Sequence, residues 1–355
     1  MPPIQTDATA LAIEGGLGAQ YERMLADEAT ELLHCRFEID AQLTKLATEK
    51  DDTFRVDAAD GRRYTLKVAN PAEDPADISF QVQLLLHVAT TDASIPVPRL
   101  VQNISGRPHF TMIDRAAQSR HVHLMSYLEG TTLDSTGSNA KERFRVGAML
   151  GRLRYATAGF SHPADSRVLA WDVTHLLELR HLLKCVQDDN QREKLARGME
   201  RFASLEDRVL KLRTQVLHND FSKSNIIVDH AHPEFVTGII DFGDVVRTAV
   251  AIDVSTALLN QLPRNAAKTP VEDLFSDSRD VLRGYLSVAE LTEDELQLIP
   301  HLVMARVVAR ALITLWRKKR FPENSKYIMR NTEQGWAQLD WFLARSFDEV
   351  SSMLL

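Results

Sequence analysis

"VLHNDFSKSNIIVD", residues 216–229, sets His218, Asp220 and Asn225 close together and then runs straight into an apolar strand. A polar turn, "HAHPE" at 230–234, and a second apolar run, "FVTGIIDFGD" at 235–244, follow it. The two runs read as a hairpin with "HAH" at its tip, Asn225 at the start of one strand and Asp241 at the end of the other. That folding gathers Asp220, Asn225 and Asp241 around one small volume. Two carboxylates and an amide are hard oxygen donors and suit Mg²⁺, which takes one or two carboxylates plus substrate phosphates. Phosphoryl transfer asks for this set: an acceptor for a hydroxyl's proton, ligands for Mg²⁺, and a cation on the donor phosphates.

The cation comes from an earlier stretch. "TFRVDAADGRRYTLKV", residues 53–68, reads as a hairpin about Asp60-Gly61, a strong turn signal. In its second strand Tyr64, Leu66 and Val68 share one face, so Lys67 points from the other. "ADISFQVQLLLHVA" at 76–89 has apolar residues at helical spacing, and "HVHLMSYLEG" closes the β-rich part. The first third predicts a small sheet lobe with one packed helix.

From Ser138 onward the periodicity turns helical. "NAKERFRVGAMLGRLRYATAG", "WDVTHLLELRHLLKCV", "AIDVSTALLNQL" and "TEDELQLIPHLVMARVVARALITLWRKKR" each predict an amphipathic helix, the last opening on a Thr292/Glu295 capping box. Asp253 reads as a helix N-cap, and "RKKR" at 317–320 as a solvated last turn. The expected division is 1–126 for a nucleotide-binding lobe, with 1–30 a leader or helix, and 127–355 for a helical lobe with the catalytic loop and acceptor pocket. Ligands then fall in the cleft between lobes.

Composition narrows the function. At 355 residues two lobes are the default. With 44% hydrophobic and 26% charged residues the chain reads as globular. A formal charge of −7 argues against nucleic acid as partner. Arg306 and Arg310 interrupt the one long apolar stretch, so no membrane span is expected. Cys35 and Cys185 are far apart in no metal or disulfide spacing, which fits a reducing cytoplasm. "HVH" at 121–123 lacks an evident third ligand for a metal, and "EGGLGA" at 14–19 follows no strand, so it reads as leader.

The spacing H-x-D-x-x-x-x-N, with D-F-G sixteen residues after Asn225, resembles the kinase-like phosphotransferases, which include the aminoglycoside phosphotransferases, choline and ethanolamine kinases and type II homoserine kinases. "YTLKV", "SFQVQLLLHV", "PVPRL", "HNDFSKSNIIV", "IIDFGD", "WDV" and "FPENSKYI" together are similar to the hydroxylysine kinases and their bacterial relatives, with gaps from about residue 45 to about 345. The resemblance implies an α+β, bilobal protein-kinase-like fold. It implies that Asp220 accepts or orients the acceptor hydroxyl, that Asn225 and Asp241 hold Mg²⁺, and that Lys67 binds the donor phosphates. His218 braces the loop. Gln81 takes the place of the helical glutamate that partners the lysine, Thr48 and Thr53 stand where a glycine-rich loop would cover the phosphates, and Ser126 and Leu128 lie on the connector that reads the base. ATP or GTP is the donor. The acceptor is a small hydroxylated amine or amino acid such as hydroxylysine, with Asp244 for an ammonium, Arg306 and Arg310 for a carboxylate, and Trp171 and Asp172 lining the pocket. Homoserine, choline, ethanolamine and aminoglycosides remain open as acceptors, as does a non-catalytic nucleotide-binding protein. A monomer or homodimer is expected.

Overall fold

The computed structural model describes residues 21–48, 51–264, 272–322, 325–329 and 332–355; the first twenty residues of the expected leader, "EGGLGA" among them, lie outside the described residues. Helix α1 (Ala26–Phe37) covers a sheet that begins with β1 (Ala41–Leu46), β2 (Asp52–Ala58) and β3 (Arg63–Val68). The expected hairpin is β2–β3, and Gly61 in its turn sits at φ 84°, where a side chain would be strained. Helix α2 (Pro75–Thr91) follows, with Asp74 as N-cap accepting from the Ala76 amide and proline in its first turn. Strands β4 (Leu100–Val101), β5 (His109–Ile113) and β6 (Ser119–Ser126) complete a sheet of order β1-β2-β3-β6-β4, with β5 also on β6.

The alternation in β3 works as the pattern predicts. Tyr64, Leu66 and Val68 are buried with Phe54, Val56, Val122 and Leu124 beneath Ala29, Leu32 and Leu33 of α1. The opposite face, with Lys67, is left for the cleft. The cut at 126 falls at the end of β6, yet the buried face of α2 (Phe80, Leu84, Leu85, Val88) joins the core of the helical part.

That part begins with β7 (Thr131–Thr132) and α3 (Ala140–Thr157), whose Asn139/Glu142 capping box is complete. Residues Val173–Cys185 depart from expectation: they form 3₁₀ turns with a kink at His175, not an amphipathic α-helix. Their buried residues, Val173, Leu176, Leu179 and Leu182, recur every third position, the period of a 3₁₀ helix. Then come α4 (Asp189–Ala203), α5 (Glu206–Val209), β8 (Thr214–Leu217), the hairpin β9 (Ile226–Val228) and β10 (Val236–Ile239), and β11 (Val246–Ala249), which pairs with β8.

Helices α6 (Val250–Leu259), α7 (Ser276–Leu286), α8 (Glu293–Arg320), α9 (Ser325–Met329), α10 (Glu333–Leu343) and α11 (Phe347–Ser351) finish the chain. Two glycines let α3 and α7 touch backbone to backbone. A Cβ on Gly147 would stand 1.8 Å from the Val281 carbonyl oxygen, and one on Gly284 1.8 Å from that of Phe144. Helix α8 keeps the predicted Thr292/Glu295 box and is the centre of the core; it is long and apolar enough to cross a membrane, but its apolar stretch is buried in protein. Its last turn is not wholly solvated: Arg317 is buried, and only Lys318 to Arg320 are exposed.

Candidate active site

Strand β8 leads into a loop that turns at Asn219, a non-glycine residue at φ 60°. Two groups hold that turn. The buried carboxylate of Asp253 accepts the Asn219 amide at 2.7 Å, from the first turn of α6 and not as its N-cap, which is Ala249. The Asp220 amide donates to His218 Nδ1 at 3.3 Å, so the proton on that ring is at Nε2, which donates to the Ile240 carbonyl at 3.1 Å. With its ring against Phe242, His218 ties the Asp220 loop to the strand end that carries Asp241. It is a brace, with neither nitrogen left for a substrate.

Asn225 donates through Nδ2 to the Asp220 backbone carbonyl at 3.0 Å and to its Oδ2 at 2.7 Å, leaving the amide oxygen to face elsewhere. Asp241 adopts the left-handed region, φ 61° and ψ 73°, and its Oδ1 accepts the Gly243 amide. Backbone strain of this kind persists where the surroundings enforce it. The Ile240 amide bonds the Asn225 carbonyl at 2.9 Å, which closes the ribbon between the two residues.

Asp220, Asn225, Asp241 and Lys67 all line one cavity of about 730 Å³ between the sheet and the helices. Thr48, Thr53, Ser126, Leu128, Asp244, Trp171, Arg306 and Arg310 also line it. The three oxygen-bearing side chains and the amine are thus brought together as the spacing predicts. Besides the bracing His218, two expected residues do not line it. Asp172 is buried as the cap of the 3₁₀ run, accepting the Thr174 amide at 2.9 Å, because Trp171 takes the cavity side and the next residue turns inward. Gln81 is buried on α2 and does not reach the cavity lining.

The partner of Lys67 is Asp51, Nζ to Oδ2 3.0 Å, from the turn before β2. Burial works against the ammonium's charge, but Asp51 and Asp241 outweigh it and hold Lys67 protonated well above the ordinary lysine range. The helical carboxylate of α2 has another task. Asp77 pairs with Arg167 at 3.1 Å, and Arg167 donates to the carbonyls of Gly243 (2.6 Å) and Val245 (2.8 and 3.0 Å). A guanidinium therefore links α2 to the backbone just after Asp241. Sequence reasoning missed Asp51 and Arg167. Asp51 was readable from the hairpin register, which pairs Thr53 with Lys67 and leaves Asp51, two residues before Thr53, on the same face and diagonal to the lysine; Arg167 left no local signal.

Burial raises the Asp220 carboxyl to about 7; Asp244 and Asp241 add to this, while Arg306 and the Asn225 hydrogen bond oppose it. A carboxyl so placed is poised to take a proton near neutrality. Among the described residues no group of three or more His, Cys, Asp or Glu is placed to hold a metal. The oxygens of Asn225 and Asp241 fit a Mg²⁺ that draws its other ligands from phosphates and water. On the connector, Ser126 is fixed by paired bonds to the Arg99 backbone, its hydroxyl accepting at 2.9 Å and its amide donating at 2.8 Å.

The phosphotransferase enzyme family (APH) matches residues 43–291. Hydroxylysine kinase of Danio rerio is 26% identical over 318 residues, covering 86% of this chain and 87% of that protein. Among solved structures, the amicoumacin kinase complex with AMP-PNP, Ca²⁺ and amicoumacin superposes with a TM-score of 0.66 at 17% identity, covering 88% of this chain and 94% of that one. A microcompartment-associated aminopropanol kinase gives 0.63 at 20% identity, covering 89% and 97%.

Proposed function

Since the chain belongs to the phosphotransferase enzyme family and moves phosphate to a hydroxyl acceptor, we propose that it transfers the γ-phosphoryl group of ATP or GTP to a small hydroxylated amine or amino acid, with hydroxylysine the first candidate. The observation that carries this reading is the convergence of Asp220, Asn225, Asp241 and Lys67 on one cavity. The acceptor oxygen forms the new bond to γ-phosphorus, its proton passes to the Asp220 carboxylate, and the bond from γ-phosphorus to the bridging oxygen breaks to leave a nucleoside diphosphate. Lys67 neutralises donor phosphate charge from the sheet wall. Asn225 and Asp241 would hold Mg²⁺, which supplies further neutralisation of the phosphates. Thr48 and Thr53 lie beside the phosphate path and Ser126 and Leu128 beside the base. Asp244 faces the acceptor's ammonium, with Trp171 as an apolar wall.

Similarity to hydroxylysine kinase across most of both chains supports the acceptor class. A nucleoside-diphosphate release screen, with ATP and GTP over hydroxylysine, homoserine, choline, ethanolamine and kanamycin, tests it. Turnover confined to kanamycin makes the protein an aminoglycoside phosphotransferase, and none with any acceptor points to a nucleotide-binding protein. Asp220→Ala should lower turnover about 100-fold or more, as loss of a positioned proton acceptor does; near-normal turnover removes Asp220 from that role.

A further inference from the structure

Arg306, Arg310, Thr314 and Arg317 succeed one another along α8 at steps of four, four and three residues, the spacing that stacks side chains on one helix face. All four line the cavity, and Arg264, beyond the end of α6, lines it too. At 1.5 Å of rise per residue this face runs about 16 Å. It begins beside the reacting group, with Arg306 Nη2 4.0 Å from Asp220 Oδ1.

Among the described residues, the only carboxylate within ion-pair distance of Arg306 is Asp220, at 4.0 Å, and Arg310 has none. Arg306 is only 5% exposed, and its Nη1 is buried without a hydrogen-bond partner. Its Nη2 has a 3.4 Å contact with the Asn219 carbonyl, and its guanidinium lies 5.6 Å from the Trp171 ring centre. Arg310 donates at 3.1 Å to the neutral amide of Gln338. Burial, helped by Arg306 and Arg264, lowers Arg310 to about 10. Like charges held together away from water are costly, and a buried guanidinium donor left unmade adds to that cost. The carboxylates Asp220, Asp241 and Asp244 gather toward the phosphate-transfer end of the same cavity. The acceptor side is therefore bipolar, acid at one end and base along α8.

We propose that the acceptor carries a carboxylate, held by Arg306 and Arg310 about one helical turn from Asp220, so that the cavity selects zwitterionic hydroxy acids over amino alcohols and polycations. Paired guanidinium donors match a carboxylate in bidentate fashion, and the Nη1 of Arg306 then gains the partner it lacks. The inference rests on the phosphotransferase reading but constrains it, since choline, ethanolamine and aminoglycosides have no group for this face.

The test uses matched acceptors that differ only in the carboxylate: serine with ethanolamine, threonine with aminopropanol, and hydroxylysine with its decarboxylated diamine. Within the pair that turns over, the acid is expected to lead in kcat/KM by about 100-fold. Arg310→Gln should raise the acid's KM by about 10- to 100-fold while leaving the amine's kinetics and the nucleotide KM within about two-fold. Arg310→Lys, which keeps the charge but not the fork, should fall between, and a thermal melt confirms that both variants fold. Amines preferred over acids, or an Arg310→Gln loss shared equally by acid and amine, overturn the proposal and leave the kinase reading intact. If no pair turns over, the acceptor class of that reading fails. Calorimetric titration of the same pairs then decides: binding of the acid alone upholds the carboxylate site, and binding of neither or of the amine refutes it.

Discussion

Replacing Asp253 by Asn should stabilise the protein at neutral pH. The carboxylate is buried under the catalytic loop, 3% exposed, and accepts the Asn219 amide at 2.7 Å. Burial raises its pKa from 3.8 to about 6, although the Asn219 hydrogen bond and Arg306 favour the charged form. One pKa unit is worth 1.36 kcal/mol, so a shift of about two units costs about 3 kcal/mol once the group ionises. The folded state keeps this proton to higher pH than the unfolded chain does. Between about pH 4 and 6 it therefore binds more protons, and the group's contribution to stability falls as pH rises through that window. Below the unfolded pKa the cost is absent, and above the folded one it is fully felt. Asn retains an oxygen for the Asn219 amide and carries no charge. Urea unfolding of wild type and Asp253→Asn across pH 4 to 8 isolates the effect, because other titrations cancel in the difference. The variant's advantage should be near zero at the acid end and about 3 kcal/mol by pH 7, then constant. A difference that does not change with pH refutes the reasoning, and so does a variant less stable than wild type at pH 7; either means that the polar contacts outweigh the burial.

Asp51→Asn should weaken nucleotide binding by about ten-fold and cost about 2 to 3 kcal/mol of stability, less than the full price of breaking a buried pair because Asp241 still faces Lys67; unchanged nucleotide KM and unfolding midpoint would contradict the pairing. Gly147→Ala should destabilise by about 3 kcal/mol or more, since its Cβ meets the Val281 carbonyl oxygen at 1.8 Å and the two helices must part. Gly137→Ala, with nothing within 4 Å of the new atom, is its control, and equal melting temperatures for the two variants would show that the α3–α7 contact gives way freely.

What could be read from residues alone was whatever lies close along the chain. His218, Asp220, Asn225 and Asp241 belong to one loop and one hairpin, so spacing and strand period were enough to place them together. Lys67 was placed by alternation in β3, because a strand has only two faces and apolar residues occupied one. Its partner is not legible along the chain, because the contact is made across the sheet by Asp51 and not from the helix that carries Gln81. Asp172 failed for a related reason. Adjacent residues in an irregular segment point different ways, and its carboxylate found an amide two residues on before any ligand could claim it.

Arg317 shows a different limit. A basic run at a helix end is ordinarily solvated, because cations there complement the helix dipole and meet water. Whether one of four consecutive cations turns inward depends on which face the helix shows its neighbours, and local composition does not state that. Period does. Counting back from Arg317 by three, four and four reaches Thr314, Arg310 and Arg306, all of which line the cavity. Lys318 and Lys319 fall off this register and are exposed; Arg320 keeps it but lies at the helix end, beyond the cavity lining, and is exposed too. The same helix therefore carries a solvated basic end and a buried basic face, told apart by the phase of each residue and its distance from the helix end. A polycation entering along that face would meet the guanidiniums of Arg306 and Arg310, whereas the carboxylate proposed for the acceptor would pair with them.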